Sequence, residues 1–135
     1  MSEVEHVLRS YRTWAVVGCS PDPWRDSHRI AALLQRHGYR VIPVNPSCDE
    51  LLGERCYPSV TAIPAAEGVE VVDVFRNSAA AGAHVDEAVE IGAKAVWLQL
   101  GVHPEAEALG RARDAGLHVV EDRCPAIELP GLARG

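Results

Sequence analysis

The residues able to do chemistry in this 135-residue chain fall into short clusters, each behind a Val-rich run. The first is Gly18-Cys19-Ser20-Pro21-Asp22-Pro23-Trp24-Arg25-Asp26-Ser27. Gly18 stands where a dinucleotide fingerprint has its first glycine, but the remaining glycines of GxGxxG are absent. Pro21 and Pro23 hold the segment extended and delay the next helix. The loop is therefore wider than the tight turn that presents the pyrophosphate of a nicotinamide cofactor. It still aims a helix start, with free amide hydrogens, at the strand ends, which suits an anion. Arg25 and His28 are placed to add charge-assisted contacts. The plainer reading has Ser27 capping the helix and Arg25 in water.

The second cluster, Asn45-Pro46-Ser47, argues against NAD. Dinucleotide sites carry Asp or Glu at this strand end to hold the ribose hydroxyls. Asn45 is neutral, and Pro46 forces an extended exit. Two roles stay open for this segment: a wall for adenine or its ribose, and a turn, which Asn-Pro commonly initiates. Arg76 closes the third run, where its planar fork suits a phosphate as well as a surface ion pair. Asp73 reads as a hydrogen-bonded structural carboxylate and Trp97 as core. In Gln99-Leu100-Gly101, Gln99 exchanges hydrogen bonds without titrating, and Gly101 allows a close backbone approach. Asp122 and Arg123 are adjacent and expected to neutralise each other. Cys124, beside Arg123, is the one candidate nucleophile, since a cation lowers a thiol pKa. A plain buried thiol is the preferred reading there, and for Cys19. No Ser-His-Asp arrangement, Walker loop or pair of strand-end carboxylates is present, so no catalytic residue is assigned.

Composition narrows the partners. Thirteen Lys+Arg against nineteen Asp+Glu give a net charge of -6, which disfavours nucleic acid but allows a small anion in a local positive field. No run approaches the ~20 apolar residues of a membrane span, and the opening residues lack a signal-peptide pattern. The four cysteines show no CxxC pair, which suggests free thiols in a reducing cytoplasm. The six histidines form no zinc pattern.

The elements that must position these clusters repeat as helix, glycine, strand. Helices are predicted over 27–37, 78–91 and 104–115, followed by Gly38, Gly92 and Gly116. Ser27 and Ser78 are the expected caps, and Pro104 suits a first turn. Strands are predicted over 13–17, 39–44, 69–75, 95–98 and 117–120. A short helix over 3–11 is expected to pack outside the sheet. Residues 46–68 read as a loop with short turns covering one sheet edge, and 129–135 as a loose tail. Alternating helices and strands predict an α/β three-layer sandwich on a five-stranded parallel sheet, in the order 3-2-1-4-5. Ligands of such sheets bind beyond the strand ends where the order reverses, which is where the clusters lie.

The runs 16–23, 38–46, 73–76, 96–101 and 122–124 together resemble the small single-domain CoA-binding proteins. Those share a Rossmann-like fold with the CoA-binding domain of the succinyl-CoA synthetase α-subunit. The resemblance implies a single CoA-binding domain over 1–135 with its core at about 12–127. It implies coenzyme A or acyl-CoA as the ligand. Gly18, Cys19, Ser20 and the helix start at Arg25, Ser27 and His28 would hold the diphosphate. Asn45, Pro46 and Ser47 would lie near the adenosine, and Phe75 and Arg76 would line the site. Gln99, Leu100 and Gly101 would contact the pantetheine arm, and Cys124-Pro125 match a Cys-Pro pair of the synthetase domain. The synthetase phosphohistidine belongs to another domain. Its lysine after strand two is replaced by Ser47 or Cys48, so the 3′-phosphate must meet an arginine or water. The expectation is a non-enzymatic cytoplasmic binding module without nucleic-acid or membrane partners, homo-oligomerisation staying open. The alternative is a cysteine-dependent acyl or CoA transferase, or an NAD(P)-binding oxidoreductase-like protein.

Overall fold

The computed structural model describes residues 2–133, with side chains through 130. Five parallel strands form the main sheet: β1 (Thr13–Val17), β2 (Arg40–Val44), β5 (Val71–Val74), β6 (Ala95–Leu98) and β7 (His118–Val120). Between β2 and β5 lie a small antiparallel hairpin, β3 (Glu50–Leu51) and β4 (Glu54–Arg55), and two 3-10 turns. The helices are α1 (Glu3–Ser10), α2 (Asp26–Arg36), α3 (Ser78–Glu90), α4 (Ala106–Asp114) and α5 (Pro125–Ala133).

The sheet runs β2-β1-β5-β6-β7, which corrects the expected order. The third long strand, β5, pairs with β1 instead of lying outside β2. That outer edge holds a single parallel bridge, Val44 to Tyr57. The Tyr57 amide donates to Pro43 O, and its carbonyl accepts from Asn45 N. Pro58 follows and has no N–H with which to extend the pairing. The 46–68 segment thus covers the edge, as expected, but holds the β3–β4 hairpin as well.

Side chains alternate across the sheet and build two cores. Ala15, Val17, Val72, Val74, Val96 and Leu98 pack with Ala81, Val85 and Ala88 of α3 and Ala108 and Ala112 of α4. Trp14, Val16, Val71 and Trp97 pack with Val7 and Leu8 of α1, Ile30, Ala31 and Leu34 of α2, and Leu129 of α5. So α2 and α3, the helices that follow β1 and β5, lie on opposite faces. The chain leaves β1 for one sheet edge and β5 for the other, which makes the β1/β5 boundary the point of reversal.

Several local expectations shift. Arg25 is the N-cap of α2 and Asn77 that of α3, so neither Ser27 nor Ser78 caps its helix. Glu105, not Pro104, precedes the first turn of α4. Residues 129–133 continue α5 and are not a loose tail, while 134–135 lie outside the described residues. No helix among the described residues is long and apolar enough to cross a membrane.

Candidate functional site

Three adjoining hollows open at the carboxyl ends of the strands, and all three are lined by Phe75. Gly18 lines two of them. Its φ of +80° places it in the left-handed region, and a Cβ there would stand 2.6 Å from Phe75 O. Glycine is therefore required by both conformation and space, and the backbones after β1 and β5 meet with no side chain between them.

The first hollow, about 490 Å³, is lined by Gly18, Ser20, Trp24, Arg25, Asp26, Ser27 and Phe75. Local hydrogen bonds shape its wall. Ser20 Oγ accepts from Asp22 N, and Asp22 Oδ1 accepts from Trp24 N. Ser27 Oγ accepts from Ser20 N at 2.9 Å, and His28 Nδ1 lies 2.9 Å from Ser20 O. His28 thus steadies the loop and does not line the hollow. Because Arg25 offers no capping oxygen, the opening amides of α2 are left without an intrachain side-chain partner.

The second hollow, about 380 Å³, runs along Val44, Asn45, Pro46 and Ser47 to Pro58, Ser59 and His84. Asn45 makes both a turn and a wall. Its Oδ1 accepts from Ser47 N at 2.8 Å, and its Nδ2 donates to Cys19 O at 2.9 Å. The two readings of Asn-Pro are therefore compatible. Cys19 itself faces inward, fully buried, and burial pushes its thiol up to about 12. It contributes a carbonyl to the Asn45 support and no side chain to the hollows.

The third hollow is a groove of about 580 Å³ with an apolar wall of Ile30, Leu33, Phe75, Leu100 and Val102, and with Gln99 and Cys124 along it. Gln99 is buried and donates from Nε2 to Asp73 Oδ1 at 2.7 Å. Asp73 is fully buried, and its Oδ2 has no partner. Burial drives its pKa up to about 8, against the opposing hydrogen bond from Gln99, so a proton is held there at neutral pH. The expectation of a hydrogen-bonded structural carboxyl holds for one of its two oxygens. Trp97 is core, as expected, and its Nε1 donates to Arg123 O at 2.9 Å, which anchors the chain leading to Cys124.

Gly101 does not line the groove, and a Cβ there would meet nothing within 4 Å. Glycine is needed for its φ of +78° and not for close approach. Its amide donates to Asp122 Oδ1 at 2.8 Å, while Arg123 approaches Glu128 at 3.6 Å. Asp122 and Arg123 thus pair elsewhere and not with each other.

The cations follow a pattern. Arg29, Arg40, Arg111, Arg113 and Arg123 all approach carboxylates. Among the described residues, Arg12, Arg25, Arg36, Arg55, Arg76 and Lys94 form no ion pair; Arg12 and Arg55 lie over the Tyr39 and Tyr57 rings, whereas Arg25, Arg36 and Arg76 are exposed and line the hollows. Two of the exposed large apolar side chains sit at the same rim: Trp24, 84% exposed, and Leu100, 54% exposed. Sequence reasoning missed Trp24, Arg29, Ile30, Leu33, Arg36 and Val102 as lining. The helical ones carry the ordinary signature of an amphipathic helix, so nothing in their spacing separates groove from core. No cluster of three or more metal-ligating side chains exists among the described residues.

A parallel α/β sheet with ligand space at its strand reversal defines the Rossmann-like class. Within that class, the chain belongs to the CoA binding domain family, whose model matches residues 12–130. An uncharacterised Bacillus subtilis protein, YneT, is 35% identical over 123 residues, which is 91% of this chain and 89% of that one. A Thermus thermophilus protein, cell-free ID.343, superposes with a TM-score of 0.88 at 35% identity, covering 98% of this chain and 99% of that one. The apo dinucleotide forming acetyl-coenzyme A synthetase 1 of Ca. Korarchaeum cryptofilum matches with a TM-score of 0.71 and 28% identity. That match covers 84% of this chain and 26% of the synthetase.

Proposed function

We propose that this chain is a single-domain cytoplasmic module that binds coenzyme A or an acyl-CoA and holds it without transforming it. The carrying observation is the pair of unpaired guanidinium groups, Arg25 and Arg76, flanking the uncapped start of α2. On a chain of net charge -6, unpaired cations gathered at one crevice supply the local field an anion requires. The diphosphate sits against the α2 amides, Gly18 and Ser20. The adenosine lies along Asn45, Pro46 and Ser47, with Arg76 in reach of the 3′-phosphate. The neutral arm follows Phe75, Leu100 and Gln99 toward Cys124, where the apolar wall of the groove suits it. Family membership supports a CoA-type ligand.

Titration calorimetry with CoA, acetyl-CoA, NAD and NADP tests the reading. Micromolar binding of CoA and acetyl-CoA is expected, with NAD and NADP weaker; tighter binding of NAD than of CoA overturns it.

A further inference from the structure

Outside the groove, two thiols stand together on the segment that covers the sheet edge. Cys48 Sγ and Cys56 Sγ are 3.5 Å apart. The β3–β4 hairpin separates them in sequence, and its register is firm: Glu50 pairs with Arg55, Leu51 with Glu54, and Cys56 N donates to Asp49 O at 2.8 Å. Leu51 is buried against the α2 core, and Gln35 Nε2 donates to Leu52 O at 3.0 Å. The hairpin is thus held at its turn as well as at its base, which keeps the backbones that carry the two thiols together. Their exposure differs. Cys48 is partly exposed, whereas Cys56 is only 6% exposed. The same base touches the adenosine-end hollow: Cys56 Sγ donates to Asn45 O at 3.5 Å, and Cys48 directly follows Ser47.

We propose that Cys48 and Cys56 form a dithiol modification site, which a low-molecular-weight disulfide converts to an intramolecular disulfide that clamps the base of the hairpin. Cys48 is the point of entry. Its thiolate attacks one sulfur of the small disulfide, the S–S bond breaks, and one small thiol leaves, giving a mixed disulfide on Cys48. The Cys56 thiolate then attacks the Cys48 sulfur and expels the second small thiol. In sum, two protein thiols lose two electrons and two protons, and the small disulfide is reduced to two thiols. Burial, the Cys48 hydrogen bond and the Cys48 charge together raise the Cys56 thiol to about 12, and Cys48 is the more exposed of the two, so the mixed disulfide forms on Cys48 before closure. Closure also takes the Cys56 S–H away from Asn45 O. The bond therefore weakens the nucleotide end of the hollow, an effect that rests on the CoA reading above.

The test uses the full chain with oxidised glutathione, acid quench, alkylation and peptide mass mapping. A transient glutathione adduct on Cys48 is expected, followed by a Cys48–Cys56 cross-link two hydrogens lighter than the dithiol. Cys56→Ser should trap the adduct on Cys48, and Cys48→Ser should give neither adduct on Cys56 nor cross-link. Full alkylation of both thiols, under conditions that oxidise free dithiothreitol, overturns the proposal; so does a cross-link to Cys19. The oxidised chain should bind CoA about threefold to tenfold more weakly than the reduced chain, the scale of one lost hydrogen bond. Equal affinity overturns the coupling. A reduced chain that binds no CoA defeats the CoA reading alone, because the cross-link is read by mass.

Discussion

Helices α2 and α3 start on either side of the strand reversal, and they start differently. The α3 start is closed by its N-cap side chain: Asn77 Oδ1 accepts from Ala80 N at 2.9 Å. The α2 start is open. Its N-cap is Arg25, whose guanidinium cannot accept a hydrogen bond, and Ser27 commits its side-chain oxygen to the preceding loop at Ser20. Both helices carry the same partial charge at their ends. What distinguishes them is whether the orphan amides are already answered and whether cations stand unpaired beside them. The proposed anion site thus rests on the capping residue that is missing and on the cations that lack carboxylate partners.

The comparison can be broken most severely at Gly18. Gly18→Ala forces a Cβ to within 2.6 Å of Phe75 O at a φ of +80°. A stability loss above ~2 kcal/mol is expected, with loss of CoA binding, read by denaturant unfolding and calorimetry.

Asp73, buried below the open end, sets a pH dependence. Its folded pKa of about 8 lies above the ordinary carboxyl value of 3.8. Between those values the folded chain holds a proton that the unfolded chain has released, so stability is greatest at the acid end and falls as pH rises toward 8. Asp73→Asn keeps an acceptor for Gln99 and should flatten this slope in melts across that range; an unchanged slope refutes the assignment.

Arg25→Ala and Arg76→Ala should each weaken CoA binding about tenfold, the scale of one charge-assisted hydrogen bond, without moving the melting temperature. Unchanged affinity in both removes the phosphate assignment.

Asn77→Ala opens the closed helix. It should cost about 1 kcal/mol of stability and leave CoA affinity unaltered, as measured by the same two methods. The smallest effect is expected at Asp26, whose carboxylate lines the open end and pairs with Arg29. Asp26→Asn removes a negative charge there and should tighten CoA binding by about twofold to fivefold.

Much of this was readable along the chain. The helix-glycine-strand rhythm locates β2, β6 and β7, and Val-rich runs locate β1 and β5, because a parallel strand buried on both faces must be apolar and short. The strand-end clusters also locate most of the groove: Gly18, Asn45, Phe75, Arg76, Gln99 and Cys124 all line or support it. The position of β5 was not readable, since Val-rich strands carry no label for their neighbours. The capping roles of Ser27 and Ser78 also escaped, because each hydroxyl has a partner outside its own helix, at Ser20 and at His103. Arg36 and Leu33 are ordinary helix residues until α2 is brought across the groove from Phe75 and Gln99.

What the sequence determined alone was local and periodic: where elements begin and end, which residues are apolar, and which polar types follow each strand. These depend on backbone preference and on side-chain spacing, which act over a few residues. Only the tertiary structure decided which cations found carboxylates, which thiols came within 3.5 Å, and which helix start was left open. Those outcomes rest on contacts between segments distant in sequence, and no local pattern records a partner that folding has yet to bring near.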